Sequence, residues 1–322
     1  MVDLSKFERR PNSYGGSEEK RAYVYNGKFY LVKMPDKIRE KNNSLSYMNN
    51  SFSEYISCHI FESVNIAVQH TDLALIEENG KSKVAVVCED FTDNDHILTE
   101  YGVSELDKDS GSEKTNPKSK ELDINNIIDS LQNNKYLIDV EKAIDDFWKM
   151  FIIDALICNR DRHNGNWGFL NNKNTGKMTL APVYDCGSSL FATYDINRCR
   201  NIINVPSELK NITINCYSAM TYNGKHINYY NFINSIKNED CNKALMNIFP
   251  IIDLNKINDI IDNTPYLPDI YKEFYKKVIE TSHNLILAPA YQKVIEKYKN
   301  NNSERSIEKN KADDFVEESF DL

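Results

Sequence analysis

The chain has 322 residues, with 39 Lys and Arg against 48 Asp and Glu and a formal net charge of −9. That length allows two lobes and a sizeable core, and the acidic balance argues against nucleic acid as the main partner. Its seven cysteines form no CxxC pair, so neither a zinc site nor a disulfide framework is signalled and a reducing compartment fits.

In chain order, MVDLSKFERR carries charges where a secretory leader has an apolar core. No apolar run approaches the roughly 20 residues of a membrane span. The expectation is a cytoplasmic protein, with export by a route that needs no such leader left open. Residues Lys6 to Pro35 read as strand, glycine-bearing loop, strand, strand. The loop is Asn12-Ser13-Tyr14-Gly15-Gly16-Ser17. Strands Arg21 to Tyr25 and Lys28 to Met34 join at Asn26-Gly27, a strong two-residue hairpin signal. A glycine pair ahead of a hairpin lets backbone N–H groups approach phosphates closely. Gly-Gly alone is more often simply a turn, and GxxxxGK[ST] is absent. Lys33 stands in the apolar strand FYLVKMP. Alternation by itself would put it on a solvated face, but its place just downstream of the glycine loop favours an ammonium that contacts a nucleotide's phosphates.

After the polar segment Lys37 to Asn50, residues Phe52 to Val64 read as an amphipathic helix. Phe52, Ile56, His59 and Ile60 share one stripe and Glu54 lies off it. Cys58 and His59 are neighbours that point different ways, which suits core packing rather than a metal. Strands follow at Thr71 to Glu77 and Lys83 to Glu89, around Glu78-Asn79-Gly80. Val84 to Cys88 is continuously apolar, as a central strand would be. Residues Ser104 to Lys120 are polar and punctuated by Gly and Pro, the pattern of an exposed insertion.

The most informative stretch runs from Asp145 to Leu190. Helices are expected at Leu122 to Leu131 and Val140 to Cys158, the second too apolar from Phe147 onward for a surface helix. Asp154 inside it needs a partner if buried and is assigned a bracing role on the loop that follows. That loop is Asn159-Arg160-Asp161-Arg162-His163-Asn164-Gly165-Asn166. Strands at Trp167 to Leu170 and Met178 to Tyr184 flank a Gly/Asn turn and form a hairpin. The hairpin returns Asp185 to the neighbourhood of Asn166 and Asp161. Two carboxylates and one amide oxygen at one mouth suit Mg²⁺, which takes a few hard protein oxygens together with phosphates and water. The remaining carboxylate suits a base that orients an attacking hydroxyl. Arg160 and Arg162 flank Asp161 and either hold its carboxylate ionised or engage an acidic group. His163 has no second His or Cys at ligand spacing, so zinc is not expected there.

Asp161-Arg-His-Asn-Gly-Asn166 followed by Trp167-Gly168, then Asp185-Cys186-Gly187, resembles the HipA-like kinases, a bacterial branch of the protein-kinase fold. Phe52-Ser-Glu54-Tyr, Tyr30-Leu-Val-Lys33-Met-Pro and Asp262-Asn-Thr-Pro265 look most like its short, CtkA-type members. The resemblance runs from Tyr14 to about Leu287. It implies an α+β, two-lobed protein-kinase-like fold: a small β-rich N-lobe over 1–91, with Glu89-Asp90-Phe91 as hinge, and a mainly helical C-lobe over 92–299. It implies a serine/threonine protein kinase that uses ATP and Mg²⁺. Asp161 would orient the acceptor hydroxyl, Asn166 and Asp185 would hold the metal, and Lys33 would pair with Glu54. Gly15, Gly16 and Ser17 would close over the phosphates, and backbone groups from Cys88 to Phe91 would meet adenine. The fold analogy makes His163 a structural residue of the loop, counted with Glu89 and Phe91 on the nucleotide side. A protein with a Ser or Thr acceptor is the implied partner, and self-phosphorylation at Ser13 or Ser17 is the implied control. The glycine loop falls within the first twenty residues, which leaves no room ahead of it for the extra domain of longer HipA toxins; an antitoxin partner is therefore left open. A toxin kinase, a small-molecule or lipid kinase and a silent ATP-binding module are the other readings.

Past Leu190, Phe191 to Arg200 corresponds to an activation segment. Helical periodicity recurs at Tyr229 to Ile236, Lys243 to Ile248, Asn255 to Ile261 and Pro268 to Leu287, with a loop at Asp262 to Pro265. The polar end from about Asn300 to Leu322 reads as a disordered tail.

Overall fold

The structure, a computed structural model, describes residues 2–11, 20–37, 48–78, 80–103 and 122–300. The expected glycine loop with Ser13, Gly15, Gly16 and Ser17, the insertion at 104–120 and the tail from residue 301 lie outside the described residues.

The N-terminal part is built on a five-stranded antiparallel sheet. Its order is β1 (Glu8–Arg10), β2 (Lys20–Tyr25), β3 (Lys28–Lys33), β5 (Lys81–Glu89), β4 (Thr71–Glu78). β2 and β3 turn through Asn26 and Gly27, at φ +50° and +77°, the left-handed pair that a tight hairpin of this hand requires. Both faces of β5 are covered, which is why its sequence lacks alternation. Val32, Ala74, Ala85 and Val87 close one side. Leu73, Val86 and Cys88 join the main core on the other, where α1 (Asn50–Ser63) packs across β4 and β5.

The C-terminal part is mainly helical. It contains α2 (Ile124–Gln132), α3 (Val140–Leu156), α4 (Ile196–Asn204), α5 (Pro206–Ile214), α6 (Tyr229–Asn234), α7 (Glu239–Ile248), α8 (Leu254–Asp262) and α9 (Asp269–Ser282). α9 runs on through a π segment, His283–Leu287, into helix over 288–300. α3 starts at Asp139, whose carboxylate accepts from the Lys142 N–H, a standard way to satisfy a free helix-end donor. It buries Phe147, Trp148, Phe151, Ile152 and Ile153, each contributing about 2–3 kcal/mol relative to exposure. Cys158, at φ +52°, then turns the chain out of the helix. α7 begins ahead of the expected Lys243, because the Asn238 side chain caps it by accepting from the Cys241 N–H.

Three features differ from the sequence expectation. The segment Met178 to Tyr184 is a strand only over β8 (Met178–Leu180). Pro182 has no N–H to continue a ladder, and Val183 instead bridges Val68 in parallel, tying the segment to the chain ahead of β4. β7 (Gly168–Asn172) has a second partner, β6 (His96–Glu100), which no local pattern announced. A further hairpin, β9 (Tyr217–Tyr222) with β10 (Lys225–Asn228), turns at Asn223-Gly224, the same dipeptide as at residues 26 and 27. Among the described residues no helix is long and apolar enough to cross a membrane.

Candidate active site

The loop after α3 is held from inside by one cation. Arg162 is wholly buried, and its guanidinium forks onto Asp154 of α3, at 2.9 Å from Nε and 3.0 Å from Nη2. Its Nη1 donates to two carbonyls at once, those of Asn166 and Tyr184, and Nη2 also reaches Cys186 Sγ at 3.2 Å. A single guanidinium therefore joins the helix, the loop and the chain returning from β8. Burial would lower the Arg162 pKa, but the Asp154 carboxylate outweighs it and the value rises well above the ordinary one. Asp154 also accepts from the Asn159 side chain at 2.8 Å. The bracing role expected of Asp154 is thus carried through side chains rather than loop backbone. Of the two alternatives open for Arg162, the structure shows the engagement of an acidic group, Asp154: charge this deeply buried has to pair inward.

That clasp sets the positions of the oxygen-bearing residues. Asn166 donates from Nδ2 to the Asp161 carbonyl at 2.7 Å, which leaves its amide oxygen as the free end. Asp185 sits at φ +57°, a left-handed conformation that Asp tolerates better than most side chains. Lys33 and Glu54 are both buried, at 5% and 1% exposure. Lys33 Nζ lies 2.9 Å from Asp185 Oδ1 and 3.4 Å from Glu54 Oε2. Burial alone would raise the Asp185 carboxyl, but the Lys33 ammonium overrides it and holds the group down at about 2. Glu54 Oε1 is buried without a hydrogen-bond partner, so Lys33 is what compensates its charge. Gly187 passes close by: a Cβ there would lie 3.2 Å from Glu54 Oε2. Ser53, one residue before Glu54, donates to the Ser189 carbonyl at 2.8 Å, which couples α1 to the chain after Asp185.

Two cavities flank this cluster. One, of about 590 Å³, is lined by Lys33, Asp185, Tyr184, Gln69, Phe91 and Glu100 among others. Phe91 rests on Tyr184, ring centroids 5.8 Å apart. Glu89 is not among its lining residues; the carboxylate takes Lys28 at 2.5 Å, and the carbonyl accepts from Gln69 Nε2 at 3.0 Å. The second, of about 700 Å³, has Asp161 in its wall. His163 lines neither, and its Nδ1 accepts the Gly165 N–H at 3.0 Å, so that nitrogen serves the loop's own turn. Asp161 itself is exposed, and its Oδ2 accepts from Ser188 at 3.2 Å.

Asp185, a carboxylate with a depressed pKa backed by a lysine, faces a cavity of nucleotide size. Asn166 lines neither cavity, and the two together offer the hard oxygen donors that suit Mg²⁺ bound mainly through phosphates. The described residues contain no cluster of three or more His, Cys, Asp or Glu able to hold a metal by themselves. Sequence reasoning missed Arg162 as the clasp, Ser188 and Gln69. Ser188 and Gln69 carry no local signal, since only the folded chain brings them to Asp161 and to the strand-end carbonyl.

A model of the HipA-like C-terminal domain matches residues 12–263. The serine/threonine-protein kinase CtkA of Helicobacter pylori is 35% identical over 299 residues, 92% of this chain and 89% of that protein. The crystal structure of a Helicobacter pylori proinflammatory kinase CtkA covers 92% of this chain and 99% of its own, with TM-score 0.79 and 33% identity. HipA of Shewanella oneidensis, solved with HipB and operator DNA, shares the fold at TM-score 0.54 and 14% identity, over 88% of this chain and 67% of its own.

Proposed function

This chain belongs to the HipA-like C-terminal domain family and is a serine/threonine-protein kinase, and from that premise we propose that it moves the γ-phosphoryl group of Mg·ATP to a protein hydroxyl with the residues described above. The observation that carries the reading is the Lys33–Asp185–Glu54 cluster at the wall of the 590 Å³ cavity, joined by one guanidinium to the loop that bears Asp161 and Asn166.

In this reading the triphosphate lies against Lys33, whose ammonium Glu54 keeps in place. Asn166 Oδ1 and the Asp185 carboxylate would be the protein oxygens that hold Mg²⁺, which would supply charge neutralisation on the phosphate oxygens. Asp161 accepts a hydrogen bond from the incoming hydroxyl and orients it. The acceptor O–P bond forms, the bond from the γ-phosphorus to the bridging oxygen breaks, ADP leaves with that electron pair, and the hydroxyl proton passes by way of Asp161. Such a site works by positioning and charge rather than by covalent catalysis. Phe91, with the backbone around Glu89, is assigned to the nucleotide base, and Gly15, Gly16 and Ser17 to its phosphates. His163 supports the loop. We also place the boundary between the sheet-rich and helix-rich parts at residues 91 and 92, because β6 already pairs with β7 of the second part. The cytoplasm suits seven buried cysteines that are all free.

The test is transfer of labelled phosphate from Mg·ATP to a protein acceptor. Asp161→Asn and Asp185→Asn are expected to lose at least about 100-fold, the usual scale for removing a catalytic acid–base or charge-stabilising group. Either variant transferring phosphate as well as wild type overturns the assignment. The same reaction without an acceptor reads out self-phosphorylation, for which Ser13 and Ser17 remain the named sites.

A further inference from the structure

The cavity that holds Asp161 in its wall is built differently from the one beside Lys33. Arg160, Ser188, Thr193, Tyr217 and His226 border it along with Asp161, which is its single carboxylate. Two cationic or cationisable side chains therefore surround one acid. Building on the kinase reading, we propose that this cavity seats the acceptor segment of the substrate, and that Arg160, with His226 beside it, selects serines or threonines flanked by aspartate or glutamate.

Three observations lead there. The Ser188 hydroxyl already donates to Asp161 Oδ2 at 3.2 Å. The free enzyme thus places a serine hydroxyl on the carboxylate that an acceptor must reach, and marks the direction of approach. The two arginines around Asp161 are used in opposite ways. Arg162 is buried and spent on Asp154, whereas Arg160 is exposed and makes no ion pair among the described residues. Its side chain forms part of the wall of the same cavity as Asp161. An exposed, unpaired guanidinium beside a catalytic carboxylate presents a planar fork of donors, the geometry that carboxylates take best. His226 comes from β10, on the hairpin that sequence reasoning did not foresee, and adds a second donor to the same wall.

Charge decides the class of acceptor. The chain as a whole carries −9, so its general field repels acidic segments. An acidic segment is therefore recruited only by direct contact with the Arg160 fork, at short range and against both that field and the Asp161 carboxylate in the same wall.

The probes are three short peptides, each with a single serine and identical except for glutamate, glutamine or lysine at the flanking positions. The readout is the ratio of kcat/KM values within one enzyme preparation, in which the folded fraction cancels. Wild type is expected to favour the glutamate over the glutamine peptide by roughly tenfold, the size of one charge-assisted hydrogen bond. Arg160→Ala should bring that ratio close to one. Arg160→Glu should invert it, favouring the lysine peptide. A wild type indifferent to the flanking charge, or an Arg160→Glu enzyme that keeps the glutamate preference, overturns the proposal. So does a wild type that turns over ATP but labels none of the peptides. A wild type that neither hydrolyses ATP nor labels any peptide, and so matches Asp161→Asn, places the failure in the kinase reading itself.

Discussion

Lys33 carries two acids. Its ammonium contacts Asp185 and Glu54 together, and it holds the Asp185 carboxyl well below its ordinary value despite burial. The folded Asp185 value of about 2 lies below its ordinary 3.8. Its contribution to stability is therefore fully present above about pH 4 and is lost as pH falls toward 2. Lys33→Met keeps most of the volume but leaves two carboxylates facing each other. It should destabilise the fold by about 3 kcal/mol at pH 7, as removal of one partner from a buried pair does. Part of that deficit should vanish near pH 4, where a carboxyl freed of its cation can protonate. Urea denaturation at the two pH values checks both statements, and equal stability of variant and wild type at pH 7 would sink them. In the free enzyme Asp185 spends one oxygen on Lys33.

At the scale of elements, the site is an assembly of ends: the end of α3, the start of β7, the stretch beyond β8 and one turn of α1. Strand pairing fixes where two of them meet. Gly168, the first residue of β7, passes so close to β6 that a Cβ would lie 2.2 Å from the Thr99 carbonyl oxygen and 2.8 Å from Glu100 Cα. Neither atom belongs to a flexible side chain, so the strands would have to part. Gly168→Ala should cost about 2 kcal/mol, the usual scale for overpacking, visible as a lower denaturation midpoint at unchanged slope. Asn166 and Trp167 lie immediately upstream, so transfer activity should fall further than the folded fraction does. An alanine variant with wild-type midpoint would show that β6 and β7 can separate freely. Trp167 stacks on Tyr101, centroids 4.3 Å apart, and carries the same constraint into the loop.

At the scale of the molecule, the sheet-rich and helix-rich parts share one core. Phe52, Ile56 and Leu73 from the first belong to the same buried cluster as Phe147, Trp148 and Ile153 from the second. The 590 Å³ cavity draws Leu31 and Lys33 from one part and Tyr184 and Asp185 from the other. A ligand there binds the folded molecule and not the unfolded chain, so Mg·ATP at 100 times its Kd should add about 2.7 kcal/mol of stability. Thermal melting should show this as a rise in Tm that shrinks when EDTA removes the metal. A melting curve indifferent to Mg·ATP would mean that the cavity does not hold it.

The sequence by itself determined what depends on nearest neighbours. Asn26-Gly27 announced a hairpin because few other dipeptides take two left-handed residues in a row. The apolar run into Asp161 announced a buried helix, and the motifs around Asp161, Asn166 and Asp185, by their resemblance to the HipA-like kinases, announced the family. Asn223-Gly224 carries as clear a turn signal as Asn26-Gly27, but the sequence reading assigns no element between Arg200 and Tyr229. Only the tertiary structure decided which arginine turns inward, that Glu89 leaves the cavity, that β6 pairs with β7, and that Ser188 sits on Asp161. Each of these depends on desolvation or on a partner distant along the chain. A buried charge chooses its orientation by what else is buried with it, and no spacing along the chain encodes that.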